Sequence, residues 1–153
     1  MATADWVVIT VEDLDDYLVG AQLTAINEAA LATDQLDRFT KTMQDVAYRI
    51  RNKIKSCPQN IVSATPYAIP PELKWAACYL IIEAMQVGLP LPLTENQVTQ
   101  IAKAVTALDR VADCKDAVTN PTDPESLDVQ SGSLATVVIS GGTRLTRDLM
   151  EGF

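Results

Sequence analysis

The sequence predicts an all-α protein: a helical bundle of three long helices plus short N-terminal helices, with an extended C-terminal arm that carries a small β element. Apolar residues recur at three- and four-residue steps from residue 34 to 56 and again from 94 to 112. Between these stretches, residues 73–87 are almost entirely apolar, which is typical of a helix in the interior of a helical fold. With 153 residues, 48% of them apolar, the chain is large enough to form one domain with a hydrophobic core.

The N-terminal part of the chain predicts two short helices. Residues 6–9 are β-prone, and Thr10 with Asp13 resembles a capping box, in which Glu or Gln is the usual second residue. A short helix is therefore expected over residues 11–18. A second one, with apolar residues on one side, is expected over residues 22–31, so that the two form a helical hairpin or a bent helix.

The first long helix is predicted to begin at Asp34, with Thr33 as its cap, and to end at the Cys-Pro pair 57–58. Its apolar stripe consists of Leu36, Phe39, Met43, Val46, Ile50 and Ile54. Its last turns contain four basic residues, Arg49, Arg51, Lys53 and Lys55. Two interpretations of this basic cluster stay open: a solvated face that complements the helix dipole, or a contact with an acidic neighbouring subunit.

Two more helices complete the predicted bundle. The Pro-Pro pair 70–71 begins the apolar helix, since a missing amide donor costs little at the first helical positions. On this helix, Trp75 and Tyr79 lie one turn apart, and core packing explains them better than stacking on nucleotide bases. Thr94 and Gln97 form a capping box for the last long helix. The apolar stripe of that helix is predicted to be Val98, Ile101, Ala102, Val105, Leu108 and Ala112.

The composition excludes several kinds of chemistry. The chain contains no histidine, so the commonest general base and the Ser-His and Cys-His pairs of nucleophilic catalysis are absent. Cys57, Cys78 and Cys114 are odd in number and form no Cys-x-x-Cys pair, which predicts reduced, structural thiols. The acidic residues within 12–16 favour a solvated first helical turn over a metal site. We therefore expect no enzyme, no metal and no cofactor.

Charge and hydropathy restrict the environment of the protein. The formal net charge of −8 gives no overall support for binding a nucleic-acid backbone. No run of 18 uncharged apolar residues appears, and residues 1–5 lack the basic and apolar layout of a signal peptide. The sequence thus predicts a cytoplasmic protein that does not enter a membrane.

The C-terminal part predicts an arm that binds a partner. A polar linker rich in proline begins at residue 120, which divides the chain into a helical bundle (1–119) and a linker with C-terminal arm (120–153). Residues 135–139 are strand-like, and a Gly-Gly turn follows them. The arm ends in an amphipathic pattern of candidate partner-binding residues: Arg144, Leu145, Arg147, Leu149, Met150 and Phe153. Because an isolated hairpin is only marginally stable, this arm is expected to bind the bundle or another subunit.

Taken in order, several stretches resemble one family. The chain has Thr-Val-Glu-Asp-Leu at 10–14, Val-Ala-Tyr-Arg-Ile-Arg-Asn-Lys-Ile at 46–54 and Ala-Ile-Pro-Pro-Glu-Leu-Lys at 68–74. Trp-Ala-Ala-Cys-Tyr-Leu follows, and one more helix leads to the arm. Over residues 6–118 this order resembles the head-tail connector proteins of tailed bacteriophages, also called adaptor or head-completion proteins, including the Mu-like kind.

The resemblance implies a structural role in the virion. It implies a ring of twelve copies, made in the host cytoplasm, that docks on the portal protein at the neck and presents its far side to a stopper or tail-completion protein. DNA would pass through the channel without specific binding, and an acidic wall would repel it during transit. By resemblance, the arm reaches the portal, where Arg144 and Arg147 pair with acidic groups and Leu149, Met150 and Phe153 act as anchors.

Two other functions compete with this one. A small regulatory adaptor would bind a single protein partner through the same arm, with one-to-one stoichiometry. A hydrolase that depends on the carboxylates of residues 12–16 would require a bound metal and measurable turnover, and the sequence offers no second group of ligands for it.

Overall fold

The computed structural model of the chain describes residues 3–30, 35–86 and 92–126, and it is mainly helical. Its elements, in chain order, are β1 (Thr3–Ala4), α1 (Val11–Leu14), α2 (Gly20–Ala30), α3 (Gln35–Lys55), α4 (Lys74–Gln86), α5 (Glu95–Ala112) and β2 (Asn120–Pro121). Short 3-10 turns follow α1 and precede α4, at Asp15–Tyr17 and Pro71–Leu73. The candidate partner-binding residues and the strand-like segment 135–139 lie outside the described residues.

The apolar helix α4 lies at the centre of the core, as the sequence predicts. It packs against both α3 and α5. Its buried residues are Ala76, Ala77, Cys78, Leu80, Ile81, Ile82 and Met85. Trp75 and Tyr79 are partly buried against this core, and Tyr79 makes edge-to-face contacts with both Trp75 and Tyr17. Full burial of one large apolar side chain stabilises a fold by about 1.5–3 kcal/mol, so α4 is a main source of stability.

The predicted stripe of α3 is confirmed wherever the structure describes its side chains. Phe39, Met43, Val46, Ile50 and Ile54 are all buried in the core. The predicted stripe of α5 is partly wrong, because only two of its six members are buried. The buried residues of α5 are Gln97, Ile101, Ala104, Leu108 and Val111. Val98, Ala102 and Val105, which the periodicity placed in the core, lie on the outside of the helix.

A buried pair of glutamines explains why α5 faces the core with Gln97 and not with Val98. Gln97 accepts a hydrogen bond from the Thr94 backbone N–H, which confirms the predicted capping box. Its amide also exchanges two hydrogen bonds with the amide of buried Gln22 and donates to the Tyr17 carbonyl oxygen. Gln22 in turn accepts from the Val19 backbone N–H in front of α2. The pair therefore joins the N-terminal ends of α2 and α5.

Replacement of Gln97 by alanine is expected to lower the free energy of unfolding by about 2 kcal/mol, because the Thr94 backbone N–H loses its acceptor in the capping box and the buried Gln22 amide loses its partner. Urea unfolding followed by circular dichroism measures this change. Gln100→Ala, on the same helix but only partly buried, is the matched control and should change stability by less than about 0.5 kcal/mol. Equal losses in the two variants would contradict a specific role for the pair.

Residues beyond the last helix contact the N-terminal strand and the loop before α4. The strand β1 pairs in parallel with β2, in the register Thr3↔Asn120. Trp6 donates its indole N–H to the Thr119 carbonyl oxygen at 2.9 Å, and Val7 forms an antiparallel bridge with Ile69. The described body thus includes residues 120–126, which lie on the arm side of the predicted boundary at 119/120.

The prediction of three reduced cysteines is wrong for two of them. Cys57 and Cys114 form a disulfide with a Cα–Cα distance of 5.3 Å, while Cys78 is a free, buried thiol as predicted. The two bonded cysteines lie two residues beyond the ends of α3 and α5. About one turn before these cysteines, Lys53 of α3 pairs with Asp109 of α5 at 2.7 Å. Because both contacts follow the same order along the two helices, the helices run in the same direction. The separation of the cysteines by 57 residues gives no local signal, so the pairing depends on the packing of the helices.

Candidate interaction surfaces

The basic cluster at the end of α3 separates into three different roles. Arg51 turns inward to the loop formed by residues 61–69. Its guanidinium donates to the carbonyl oxygens of Ser63, Thr65 and Ala68, at 2.7, 3.1 and 2.9 Å. It also lies over the ring of Trp6, 6.0 Å from the centroid. Burial lowers the pKa of Arg51, yet a guanidinium stays charged at every pH in use. Arg51 therefore fixes the loop and is not available to a partner.

Two other members of the cluster form surface ion pairs. Lys53 binds Asp109 on α5 at 2.7 Å, and Lys55 binds Glu125 at 3.0 Å, with all four side chains about half exposed. Exposed pairs of this kind contribute about 0–1 kcal/mol each. Arg49 has no carboxylate partner among the residues that the structure describes. Within this cluster, Arg49 is therefore the residue that could make the predicted contact with an acidic neighbouring subunit.

A groove between α3 and α5 contains Arg49. Its volume is about 550 Å³. The residues that line it are Arg49, Asn52, Lys53, Ser56, Leu80, Val105, Leu108, Asp109 and Ala112. Leu80 and Leu108 are buried and form its apolar floor, whereas Val105 on the wall is 43% exposed. The groove thus combines an apolar floor with a cation on its rim, the arrangement that binds an amphipathic segment. We call it the α3–α5 groove.

The outer face of α5 consists of Val98, Ala102 and Val105. These residues are exposed, Val98 by 54%, although each is apolar and at helical spacing from the next. The sequence already indicates a second apolar face on α5, because the helix has more apolar residues than one core-facing stripe needs. Periodicity alone does not say which stripe is inside, and the burial of Gln97 decides it. The excess apolar face is the surface on which a second protein would pack.

The acidic cluster of residues 12–16 does not converge on a site. Asp13 is occupied, since it accepts from the Thr10 backbone N–H at 2.8 Å and pairs with Lys74 at 2.6 Å. Asp15 and Asp16 are exposed on the following turn. Within residues 3–30, 35–86 and 92–126, no group of three or more His, Cys, Asp or Glu side chains is placed to hold a metal ion.

Asp123, which follows β2, holds the loop before α4 by hydrogen bonds. Its carboxylate accepts from the hydroxyls of Ser63 and Thr65 at 2.7 and 2.6 Å and from the Thr65 backbone N–H at 3.1 Å. These hydrogen bonds, that from Thr65 foremost, lower the pKa of Asp123. The carboxylate is therefore held in its charged form as a structural acceptor.

The lowered pKa of Asp123 predicts a loss of stability in acid. A group whose pKa is lower in the folded state contributes stability above its unfolded pKa, about 4, and this contribution vanishes as the pH falls through the folded pKa. The stability gap between the wild type and Asp123→Asn is expected to be largest near pH 7 and to shrink below about pH 4. Urea unfolding at pH 7, 5, 4 and 3 tests this, and a gap that does not depend on pH would contradict it.

Cys78 is a core residue and not a nucleophile. Its thiol is buried on α4, donates weakly to the Asp13 carbonyl oxygen at 3.7 Å, and is fully enclosed. Burial raises the pKa of the Cys78 thiol to about 12, so the reactive thiolate is essentially absent at neutral pH.

The comparisons with known proteins do not identify a relative. The chain matches no protein-family model, no curated protein and no solved structure. Within the described residues, no helix is both long and apolar enough to cross a membrane. The surfaces described above therefore carry the functional argument.

Proposed function

We propose that this chain is a structural subunit of a phage head-tail connector: a ring that docks on the portal protein and links the capsid to the tail. In this proposal, α3, α4 and α5 form the three-helix bundle of each subunit. The assembled ring, of twelve copies by resemblance, leaves a channel for DNA. The subunit acts by assembly and carries out no chemical reaction.

The observation that carries the proposal is the outer face of α5. A helix that buries Ile101 and Leu108 and also exposes Val98 and Val105 presents apolar surface on two sides. One side belongs to the subunit's own core. The other suits a neighbouring copy, because apolar area removed from water contributes roughly 25 cal/mol per Å². Repeated around a ring, such a contact joins each subunit to the next.

Charge supports the same function. With a net charge of −8 per chain, a ring of many copies is strongly acidic, and its field disfavours binding of the DNA that passes through. Glu12, Asp15 and Asp16 are exposed and add to this field. The arm residues 144–153 are proposed to bind the portal, with stopper or tail-completion protein on the opposite side of the ring.

Light scattering and electron microscopy test this proposal. The full chain, and a version without the final fourteen residues, are examined alone and with a portal protein from the same genome. Rings, or portal binding that is lost on truncation, are expected. Val98→Glu should abolish ring contacts, whereas Val8→Glu, at another exposed apolar residue in the segment between β1 and α1, should not. One-to-one binding to a single protein, without rings, would instead favour the regulatory adaptor.

A further inference from the structure

The α3–α5 groove has the size and chemistry of a peptide-binding site. It runs along the last two turns of both helices, from Arg49 on α3 to Ser56 just after its end, and from Val105 to Ala112 on α5. Seven residues of helix span about 10 Å, which accommodates two turns of an amphipathic helix. The Lys53–Asp109 pair crosses the groove and neutralises both of its own charges. An occupant therefore meets an apolar floor and one unneutralised cation, Arg49.

The described chain ends beside the last turn of α3, the same end of the helix along which this groove runs. The Lys55–Glu125 ion pair holds Glu125 beside the last turn of α3, and Ser56, the next residue after Lys55, lines the groove. The backbone N–H of Glu125 also donates to the Val62 carbonyl oxygen, which fixes the direction of the chain there. From Ser126 to Arg144 there are seventeen intervening residues, which span up to about 55 Å when extended. The arm is thus long enough to place its end in the groove of its own chain.

The sequence of the arm complements the groove. Leu145, Leu149 and Phe153 recur every four residues, the spacing of anchors on one face of a helix that docks in an apolar groove. Asp148 and Glu151 lie between these anchors and are opposite in charge to Arg49, while Arg144 and Arg147 balance them, so the three apolar anchors carry most of the complementarity.

We propose that the α3–α5 groove binds residues 144–153 of the same chain in the free subunit. This inference rests on the proposed function, because it assigns a regulatory role to the arm that would bind the portal. Val105 belongs both to the groove and to the outer face of α5. A docked arm therefore covers part of the surface on which a neighbouring subunit packs, and the isolated subunit assembles less readily than it does once a partner removes the arm.

Photo-cross-linking of the full chain tests this inference. p-Benzoylphenylalanine is placed at Val105, which is 43% exposed, in one protein and at Val8, which is 41% exposed, in the control. Irradiation and peptide mass spectrometry should give a cross-link from Val105 to residues 144–153 and none from Val8. Mixing isotope-labelled with unlabelled chains should show that the cross-link lies within one chain. Cross-links between chains, to another segment, or equally from both positions would overturn the inference.

Variants of Arg49 test the electrostatic part of the inference. Arg49→Glu replaces an attraction for Asp148 and Glu151 by a repulsion, and the cross-link yield should fall about threefold, the effect of one exposed ion pair. Arg49→Lys keeps the charge and should keep the yield. Equal yields in the two variants would overturn the pairing. These yields are measured on the isolated subunit, so they do not depend on whether rings form or a portal binds.

Discussion

Reduction of the Cys57–Cys114 disulfide is expected to lower the free energy of unfolding by about 4 kcal/mol. The bond closes a loop across 57 residues, and a crosslink of that span removes a corresponding amount of chain entropy from the unfolded state. For a domain of this size, the loss corresponds to a fall in melting temperature of about 10 °C. Cys57 is 2% exposed, but Cys114 lies at the surface, so that a thiol reductant can reach the bond. Calorimetry with and without reductant measures the shift.

A pair of variants separates the crosslink from the local backbone. Cys114, two residues after the end of α5, occupies a left-handed conformation with φ of 59°. Cys114 and Lys115 donate backbone hydrogen bonds to the carbonyl oxygens of Val111 and Arg110, the pattern of a Schellman motif. Both Cys114→Gly and Cys114→Ser remove the disulfide, but glycine adopts this conformation without strain. The glycine variant should therefore be more stable by about 1 kcal/mol.

The Asp113→Gly variant is the control for the effect of glycine at position 114. The φ of Asp113 is −79°, so glycine offers no relief there, and Asp113→Gly should gain nothing. If the reduced wild type and the Cys114→Ser variant were as stable as the oxidised protein, the disulfide would not stabilise the fold by constraining the unfolded chain. If glycine and serine at 114 were equivalent, the left-handed conformation would not carry a cost.

Local signals predicted the helices well, but not the contacts between them. Capping boxes and the stripe of α3 depend on residues three or four apart, and the structure confirms them. The orientation of α5 depends on Gln97 and Gln22, which are 75 residues apart, and the disulfide depends on the meeting of two helix ends. Neither is visible in spacing. Of the candidate site, only Arg49 and the apolar excess of α5 could be recognised in the sequence, while the partner-binding role of residues 144–153 stays a prediction.

Replacement of Arg51 by alanine is expected to cost about 3 kcal/mol of unfolding free energy, because a charged donor to three carbonyl oxygens is lost. The periodicity of α3 gives no reason to distinguish Arg51 from Arg49, yet one is a partly buried anchor of the loop and the other is exposed. Arg49→Ala should change stability by less than about 0.5 kcal/mol, which makes it the matched control.

The geometry of the anchor makes a second substitution informative. Arg51→Lys keeps the positive charge, but one nitrogen replaces two, of which the first donates to Thr65 and Ala68 and the second to Ser63. It should recover less than half of the stability that Arg51→Ala loses. Urea unfolding measures all three variants. Full recovery by lysine would mean that charge alone holds the loop, and equal effects at Arg49 and Arg51 would mean that the loop does not depend on this side chain. Ser63 and Thr65 also bind Asp123. Loss of the Arg51 side chain should therefore also weaken the contacts that hold residues 120–126, which precede the arm, against the rest of the described structure.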